Sequence, residues 1–201
     1  PRHGVGHRRQ QRHRRRDRPG PGQRGVRGDL RRPARRPDRS GTAGRRRGRG
    51  AAGGLGRELR QRLPHYCDTL RLSDIADLGS AGPREEVMPA RLEDAPAVLQ
   101  LLEGVDAVVH LGGVSTEQPW EPILQANIVG LYNLYEAARK QGVKRVLFAS
   151  SNHVTGFYRQ DEVIDARDPM RPDGLYGLSK AFGESLSRFY WDRYGIQTVC
   201  L

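Results

Sequence analysis

The chain has 201 residues, a net charge of +12 and only two cysteines, Cys67 and Cys200. Two cysteines so far apart exclude a disulfide framework and a paired-cysteine metal site, and they favour a reducing, cytoplasmic location. No apolar run reaches the ~18 residues of a membrane span, and the basic N-terminus lacks the apolar stretch of a secretory signal, so we expect no membrane partner.

The positive charge is concentrated at the start of the chain. Residues 1–50 contain 19 arginines, no lysine and three aspartates, whereas residues 51–201 carry a net charge of −4. Residues 1–48 also lack Phe, Trp, Tyr, Ile and Met, so they cannot bury a core, and we predict that this segment is disordered. Two interpretations stay open. One is an arginine arm that binds nucleic acid by releasing counterions; the other, which we favour, is out-of-frame translation of a GC-rich gene.

A glycine-rich segment, Gly50-Ala-Ala-Gly53-Gly-Leu-Gly56, precedes a predicted helix at residues 57–63. Glycines at this spacing are typical of a tight turn that lets the backbone approach a pyrophosphate at a helix N-terminus. A short alternating strand follows and ends at Asp74, where a carboxylate can bind the adenosine ribose hydroxyls and favours NAD over NADP. The alternative role for Asp74 is to cap a turn.

The rest of the chain continues to alternate between helix and strand patterns. Further strands are predicted near residues 86–88 and at 106–111, 144–150 and 197–201, and further helices at 94–103, 123–141 and 176–194. Gly142 is predicted to end the second of these helices. The alternation predicts an α/β fold with a doubly wound parallel, Rossmann-like sheet. We place one NAD-binding domain at residues 49–201, with the sheet incomplete.

A tyrosine and a lysine four residues apart, Tyr176 and Lys180, lie 25 residues after the Ser150-Ser151 pair. On a helix they share one face, so the ammonium can stabilise a phenolate, while a serine holds the reacting oxygen. The spacing favours a Ser/Tyr/Lys hydride-transfer site over an ordinary amphipathic helix. His110 and His153 are not spaced as metal ligands, and we predict no metal site.

Four stretches carry a resemblance to a known family. They are Val109-His-Leu-Gly-Gly-Val-Ser115, Trp120-Glu-Pro-Ile-Leu-Gln-Ala-Asn127 with its continuation to Ala138, Val146-Leu-Phe-Ala-Ser-Ser-Asn-His153, and Tyr176-Gly-Leu-Ser-Lys-Ala-Phe-Gly-Glu184. These residues resemble the uronate dehydrogenases, which belong to the extended short-chain dehydrogenases together with the NAD-dependent epimerases and dehydratases. The resemblance covers about residues 50–201.

The resemblance implies NAD-dependent oxidation of a hexuronic acid, such as glucuronate or galacturonate, at C1 to the aldonolactone. It implies that Tyr176 is the base, that Lys180 assists it and binds the nicotinamide ribose, and that Ser151 binds the developing carbonyl oxygen. Substrate contacts are implied for Ser115, Asn152 and His153 as well as for Ser151 and Tyr176. Cofactor contacts are implied, besides Tyr176 and Lys180, for Gly50, Gly53, Gly56, Asp74, Leu111, Gly112 and Gly113. Family members often associate through two long helices, so a homo-oligomer is expected.

Three departures from the family pattern predict impaired function. The segment Arg45-Arg-Arg-Gly-Arg49 occupies the place of an apolar first strand, and Arg91 stands where an aspartate is usual. The arginine that grips the substrate carboxylate in the family is expected beyond residue 201. We therefore expect a truncated enzyme that binds NAD weakly or not at all.

Two other functions stay open. The first is a nucleotide-sugar epimerase or dehydratase of the same superfamily, although dehydratases usually place an Asp-Glu pair where this chain has Val154-Thr155. The second is an inactive scaffold whose arginine-rich arm binds nucleic acid. We do not favour a nucleic-acid partner.

Overall fold

The structure is a computed structural model that describes residues 51–201, and the predictions for residues 1–48 and for Gly50 lie outside the described residues. Helices and strands alternate along this part. The helices are α1 (Ala51–Arg62), α2 (Ala95–Leu101), α3 (Trp120–Ile123), α4 (Gly130–Gln141) and α5 (Leu175–Tyr194). The strands are β1 (Leu70–Leu72), β2 (Glu85–Val87), β3 (Ala107–His110), β4 (Arg145–Phe148) and β5 (Gln197–Cys200). Short 3-10 helices lie at Leu63–His65 and Asn152–Thr155, and a π-helical segment lies at Leu124–Val129.

The strands form two parallel sheets within residues 51–201. Strand β1 pairs with β2, and β3, β4 and β5 form a second sheet in that order. In the strand order of a doubly wound sheet, a pair such as β1 and β2 lies on one side of a central strand, and a group such as β3, β4 and β5 lies on the other side. The parallel pairing and the intervening helices confirm the predicted α/β class.

One face of the three-stranded sheet carries the core. Helices α2, α4 and α5 cover it, and side chains from β4, such as Val146 and Phe148, are buried between them. Burying a side chain of this size contributes about 1.5–3 kcal/mol. The rings of Tyr135 on α4 and Tyr190 on α5 stack at 4.9 Å, which joins the two long helices. On the opposite face, Val109 and Val199 are exposed.

Gly183 permits the close approach of α5 to β4. A β-carbon at this position would collide with the ring of Phe148. The absence of a side chain therefore sets the distance between the helix that carries Tyr176 and Lys180 and the strand that ends beside Ser151.

The predicted helix at residues 123–141 differs from the observed one in its start and in its winding. It begins at Trp120 and passes through the π-helical segment before α4. Gly142 ends it in the left-handed conformation, with φ 78°, as predicted. The extra residue in a π turn changes the direction in which Asn127 projects, and such turns are frequent at functional sites.

Helix α1 starts earlier than the sequence predicts. It begins at Ala51 instead of residue 57, so Gly53 and Gly56 lie inside the helix and not in a turn before it. Alanine is the strongest helix former, which favours this early start at Ala51 and Ala52. The prediction that these two glycines form a tight turn was wrong.

No helix in the described part of the chain is long and apolar enough to cross a membrane. Helix α5 has 20 residues, but it carries charged side chains throughout. Cys67 and Cys200 are both free thiols.

Candidate active site

Tyr176 and Lys180 lie one turn apart at the start of α5. The Lys180 ammonium is buried, donates a hydrogen bond of 2.7 Å to the carbonyl oxygen of Ala149, and lies 5.7 Å from the centre of the Tyr176 ring. It also lies 4.9 Å from the ring centre of Phe148. Burial lowers the pKa of Lys180 to about 8. The structure therefore brings a positive charge to the half-buried tyrosine, as the spacing predicted.

Ser151 follows β4 and begins the 3-10 helix Asn152–Thr155. Its hydroxyl accepts a hydrogen bond of 3.2 Å from the backbone N–H of His153. The neighbouring Ser150 donates its hydroxyl hydrogen bond to Glu184 on α5. Of the predicted serine pair, Ser150 is thus engaged in joining β4 to α5, and Ser151 is the candidate for substrate contact.

The 3-10 helix packs directly on the first turn of α5. A β-carbon at Gly177 would collide with the carbonyl oxygen of His153, so this glycine allows the contact. The imidazole of His153 meets the ring of Tyr176 edge to face, with 5.7 Å between the ring centres. The structure thereby brings the segment of Ser151, Asn152 and His153 together with Tyr176.

His153 has a carboxylate partner that the sequence analysis missed. Its Nδ1 lies 2.9 Å from Oδ1 and 3.0 Å from Oδ2 of Asp173. A carboxylate at Nδ1 favours a proton on that nitrogen and leaves Nε2 as an acceptor. The turn sequence Pro172-Asp173-Gly174, directly before α5, is the signal that could have drawn attention to Asp173.

Asn127 fixes the segment that contains Ser115. Its side-chain oxygen accepts from the N–H of Val114 at 2.7 Å, and its amide nitrogen donates to the Val114 carbonyl at 3.0 Å and to Ser179 at 2.9 Å. Ser179 in turn donates to the carbonyl oxygen of Tyr176 at 2.7 Å. Asn127 therefore connects the chain after β3 with the first turn of α5.

A second connection between these two segments was also missed. The carboxylate of Glu117 accepts hydrogen bonds from the backbone N–H groups of Leu175, at 3.0 Å, and Tyr176, at 2.9 Å. These residues are separated by 58 and 59 positions. No local pattern in the sequence indicates such a contact.

The predicted cofactor residues are only partly brought together. Leu111, Gly112 and Gly113 follow β3, and the β-carbon position of Gly56 on α1 lies 3.9 Å from the side chain of Leu111. Gly113 has a φ of +110°, and a β-carbon there would meet the amide of Asn127, so a glycine is required.

Asp74 follows a strand of the other sheet in the described part of the chain. It lies two residues after the end of β1, is exposed, and accepts a hydrogen bond of 3.0 Å from the N–H of Ala76. This contact is the turn cap that the sequence left open as the alternative. The ribose contact of Asp74 stays a prediction.

His110, at the end of β3, is held neutral beside this site. It is buried against Phe148, and burial, with a smaller effect of the Lys180 charge, lowers its pKa to about 4. A neutral imidazole does not compete with the Lys180 ammonium for the stabilisation of an anion. Among residues 51–201, no three His, Cys, Asp or Glu side chains lie together as a metal site.

Comparisons with known proteins give one consistent result. The model of the family described as "NAD dependent epimerase/dehydratase family" matches residues 49–201. "Uronate dehydrogenase" from Pseudomonas putida is 61% identical over 153 residues, which are 76% of this chain and 57% of that protein. "Uronate dehydrogenase" from Agrobacterium fabrum is 55% identical over 75% of this chain and 57% of that protein.

A solved structure agrees with these relatives. The crystal structure of uronate dehydrogenase from Agrobacterium tumefaciens, a tyrosine-to-alanine mutant complexed with NAD, matches with a TM-score of 0.71 and 53% identity over 74% of this chain and 56% of that chain. The chain thus spans little more than half the length of the relatives it matches. The resemblance and the Rossmann-like fold predicted from the sequence are confirmed.

Proposed function

Because the chain belongs to the NAD dependent epimerase/dehydratase family, we propose that it carries the catalytic part of an NAD-dependent uronate dehydrogenase. The reaction is oxidation of a cyclic hexuronic acid, glucuronate or galacturonate, at C1 to the aldonolactone. The observation that carries the proposal is the Lys180 ammonium, which is held by Ala149 beside Tyr176. The identity of 61% to an enzyme of this name supports the substrate class.

The glycines after β3 and the Lys180 ammonium fit a dinucleotide. Gly112 and Gly113 leave the backbone bare at the carboxyl end of a parallel strand, where such folds bind nucleotides. An ammonium has three donors, and within the described residues Lys180 uses one, on Ala149. Its other donors suit the ribose hydroxyls. NAD, when bound, supplies the hydride acceptor.

Tyr176 and its neighbours then perform the proton chemistry. The phenolate of Tyr176 takes the proton of the anomeric hydroxyl while the hydrogen on C1 leaves as hydride, so the C1–O bond becomes a carbonyl. The Lys180 ammonium stabilises the phenolate. Ser151 donates to the reacting oxygen, and a donor placed for this purpose is worth about 3 kcal/mol in comparable sites.

Of the remaining predicted substrate residues, His153 contacts the ring of Tyr176. His153, oriented by Asp173, presents Nε2 to a sugar hydroxyl. Asn152 precedes it on the same 3-10 helix, and Ser115 lies on the segment that Asn127 holds. Hydroxyl and amide groups of this kind match sugar hydroxyls and penalise substrates that lack them.

The proposal also covers the assembly and the location of the protein. Exposed aromatic side chains on the two long helices, Tyr132 on α4 and Phe189 and Trp191 on α5, support a homo-oligomer through these helices. The two cysteines, both free, agree with a cytoplasmic location. A nucleic-acid partner and a membrane partner are not proposed.

A chimeric protein tests the function directly. In it, residues 51–201 of this chain replace the matched region of the Pseudomonas putida relative; we refer to it as the chimera. We expect NADH formation with glucuronate or galacturonate and none with UDP-glucose, because the relative that is 61% identical to this chain is a uronate dehydrogenase. Absorbance of NADH measures the oxidation of each uronate, and chromatography of the nucleotide sugar measures turnover of UDP-glucose, because an epimerase or dehydratase returns the hydride to its substrate and accumulates no NADH. Turnover of UDP-glucose alone would instead support the epimerase or dehydratase alternative.

The 201-residue chain itself is expected to bind NAD weakly. The sequence Arg45-Arg-Arg-Gly-Arg49 stands where the family has an apolar first strand, and in a doubly wound sheet that strand lies at the centre of the nucleotide crevice. Calorimetry should give a Kd at least ~10-fold weaker than that of the chimera, a loss of about 1.4 kcal/mol. The chimera is the matched control, since it contains the same described residues. A micromolar Kd for the 201-residue chain would contradict this expectation.

A further inference from the structure

Glu117 ties the segment after β3 to the first turn of the helix that carries Tyr176. One carboxylate oxygen accepts from the N–H of Leu175, and the other accepts from the N–H of Tyr176. Leu175 is the first residue of α5, so both donors belong to the orphan N–H groups of a helix start. The contact is charge-assisted, which makes it stronger than a neutral hydrogen bond.

The local sequence cannot cap this helix. The residue before it, Gly174, has an extended backbone and no side chain that could accept from the first turn. Its lack of a side chain also makes room for Glu117, because a β-carbon at Gly174 would collide with that carboxylate. Both the hydrogen bonds and the glycine therefore fit a carboxylate supplied by a distant segment.

The same segment is fixed at its other end by Asn127. That side chain binds both backbone groups of Val114 and reaches the Tyr176 carbonyl through Ser179. Ser115 thus lies between two anchors, Val114 and Glu117, and both anchors connect to the backbone of Tyr176. The distance between a residue proposed to hold the sugar and the residue proposed to take its proton is set by these anchors.

We propose that Glu117 is a positioning residue for the reaction, acting through the backbone of Tyr176 and through the Ser115 segment. It touches neither the substrate nor the transferred proton. The inference rests on the proposed function, since it assigns the reaction's geometry to a contact outside the Ser/Tyr/Lys set. Misplacement of a catalytic group by about 1 Å costs on the order of 100-fold in rate, so the loss of this anchor has a measurable effect.

The test compares Glu117→Ala, Glu117→Gln and Glu121→Ala in the chimera. Glu121 is a matched control, because it is a nearby exposed glutamate whose carboxylate accepts only from Gln125 among the contacts found in residues 51–201. For Glu117→Ala we expect kcat to fall by ~10-fold to 100-fold and KM for the uronate to rise, with the Kd for NAD within about twofold of the parent. Glutamine keeps one acceptor oxygen, so Glu117→Gln should recover part of the loss.

Hydrogen exchange separates this inference from the proposed function. Backbone N–H groups of residues 174–178 should exchange faster in Glu117→Ala than in the parent or in Glu121→Ala, whether or not the protein turns over uronates. A parent without uronate activity but with this exchange pattern would overturn the proposed substrate and retain the anchor. Unchanged exchange at residues 174–178 would overturn the inference, and so would kcat and KM values equal to those of the control. If Glu117→Ala does not fold, the same criteria apply to Glu117→Gln.

Discussion

Replacement of Tyr176 by phenylalanine should lower kcat of the chimera with uronate by about 100-fold to 10,000-fold, the usual contribution of a general base. The substitution removes only the phenolic oxygen. The ring that faces His153 and the Lys180 ammonium keeps its place, since those contacts involve the ring and not the hydroxyl. The Kd for NAD should therefore stay within about twofold of the parent value. A fall in kcat with binding intact is the signature of an interaction made in the transition state.

The control for this substitution is Tyr132→Phe. Tyr132 is an exposed tyrosine on α4, and it lies outside the proposed site, so the same chemical change there should leave kcat unaffected. The measurements are steady-state NADH formation and calorimetry with NAD. Retention of more than about a tenth of the parent kcat in Tyr176→Phe would assign the base to another group, because a positioned base contributes at least ~100-fold.

The sequence predicted well those features that depend on local spacing. The four-residue spacing of Tyr176 and Lys180 placed both on one helical face, and the apolar runs located β3, β4 and β5 to within a few residues. Gly142 ends α4 in the left-handed conformation because glycine meets no steric penalty there. In each case the determining physics acts between residues close in the chain.

The features that the sequence analysis did not find depend on contacts between residues that are distant in the chain. Glu117 meets the start of α5 across 58 positions, and Asp173 meets His153 across 20. Hydropathy periodicity reports which side of a helix or strand is buried, but it does not report which carboxylate reaches which N–H group. Asn127 lies in one of the stretches that carry the family resemblance, yet its π-helical setting and its contact with Val114 follow from tertiary packing.

In the glycine-rich segment, the local pattern itself led to a wrong prediction of backbone conformation. Its spacing suggested a turn, but Gly53 and Gly56 lie within α1. A glycine motif specifies where a side chain is absent, and it does not specify the backbone conformation, which the neighbouring Ala51 and Ala52 bias toward helix. Gly56 nevertheless approaches the side chain of Leu111, another residue for which the resemblance implies a cofactor contact.

Replacement of Lys180 by methionine should abolish uronate oxidation and at the same time stabilise the fold. Burial lowers the pKa of Lys180 from 10.5 to about 8, so the folded protein holds the ammonium less favourably than the unfolded chain does, by about 3 kcal/mol. Methionine has a similar length and no charge to desolvate. It leaves the Ala149 carbonyl without its donor, which costs about 1–3 kcal/mol, so the net gain at pH 7 is on the order of 1 kcal/mol.

The pH dependence of the free energy of unfolding shows whether Lys180→Met stabilises the fold by removing a buried charge or by packing better. Below pH 8 the lysine is charged in both states, and its destabilising effect is complete. Between about pH 8 and 10.5 the unfolded chain binds more protons than the folded protein, so the stability of the parent should rise with pH by up to ~3 kcal/mol. Lys180→Met should lose this rise, whereas Lys140→Met, at an exposed lysine on α4, should keep it.

Urea unfolding of the three proteins at pH 7 and pH 10 measures the effect, and the difference between variants cancels the titration of other groups. If the free energy of unfolding changes equally with pH in the parent and in Lys180→Met, the buried ammonium does not destabilise the fold. A stability gain together with lost activity would show that a charge is kept at Lys180 against the stability of the fold. The proposed reaction gives the reason, since the phenolate of Tyr176 needs a cation beside it, and the buried Lys180 ammonium lies one turn away on the same helix.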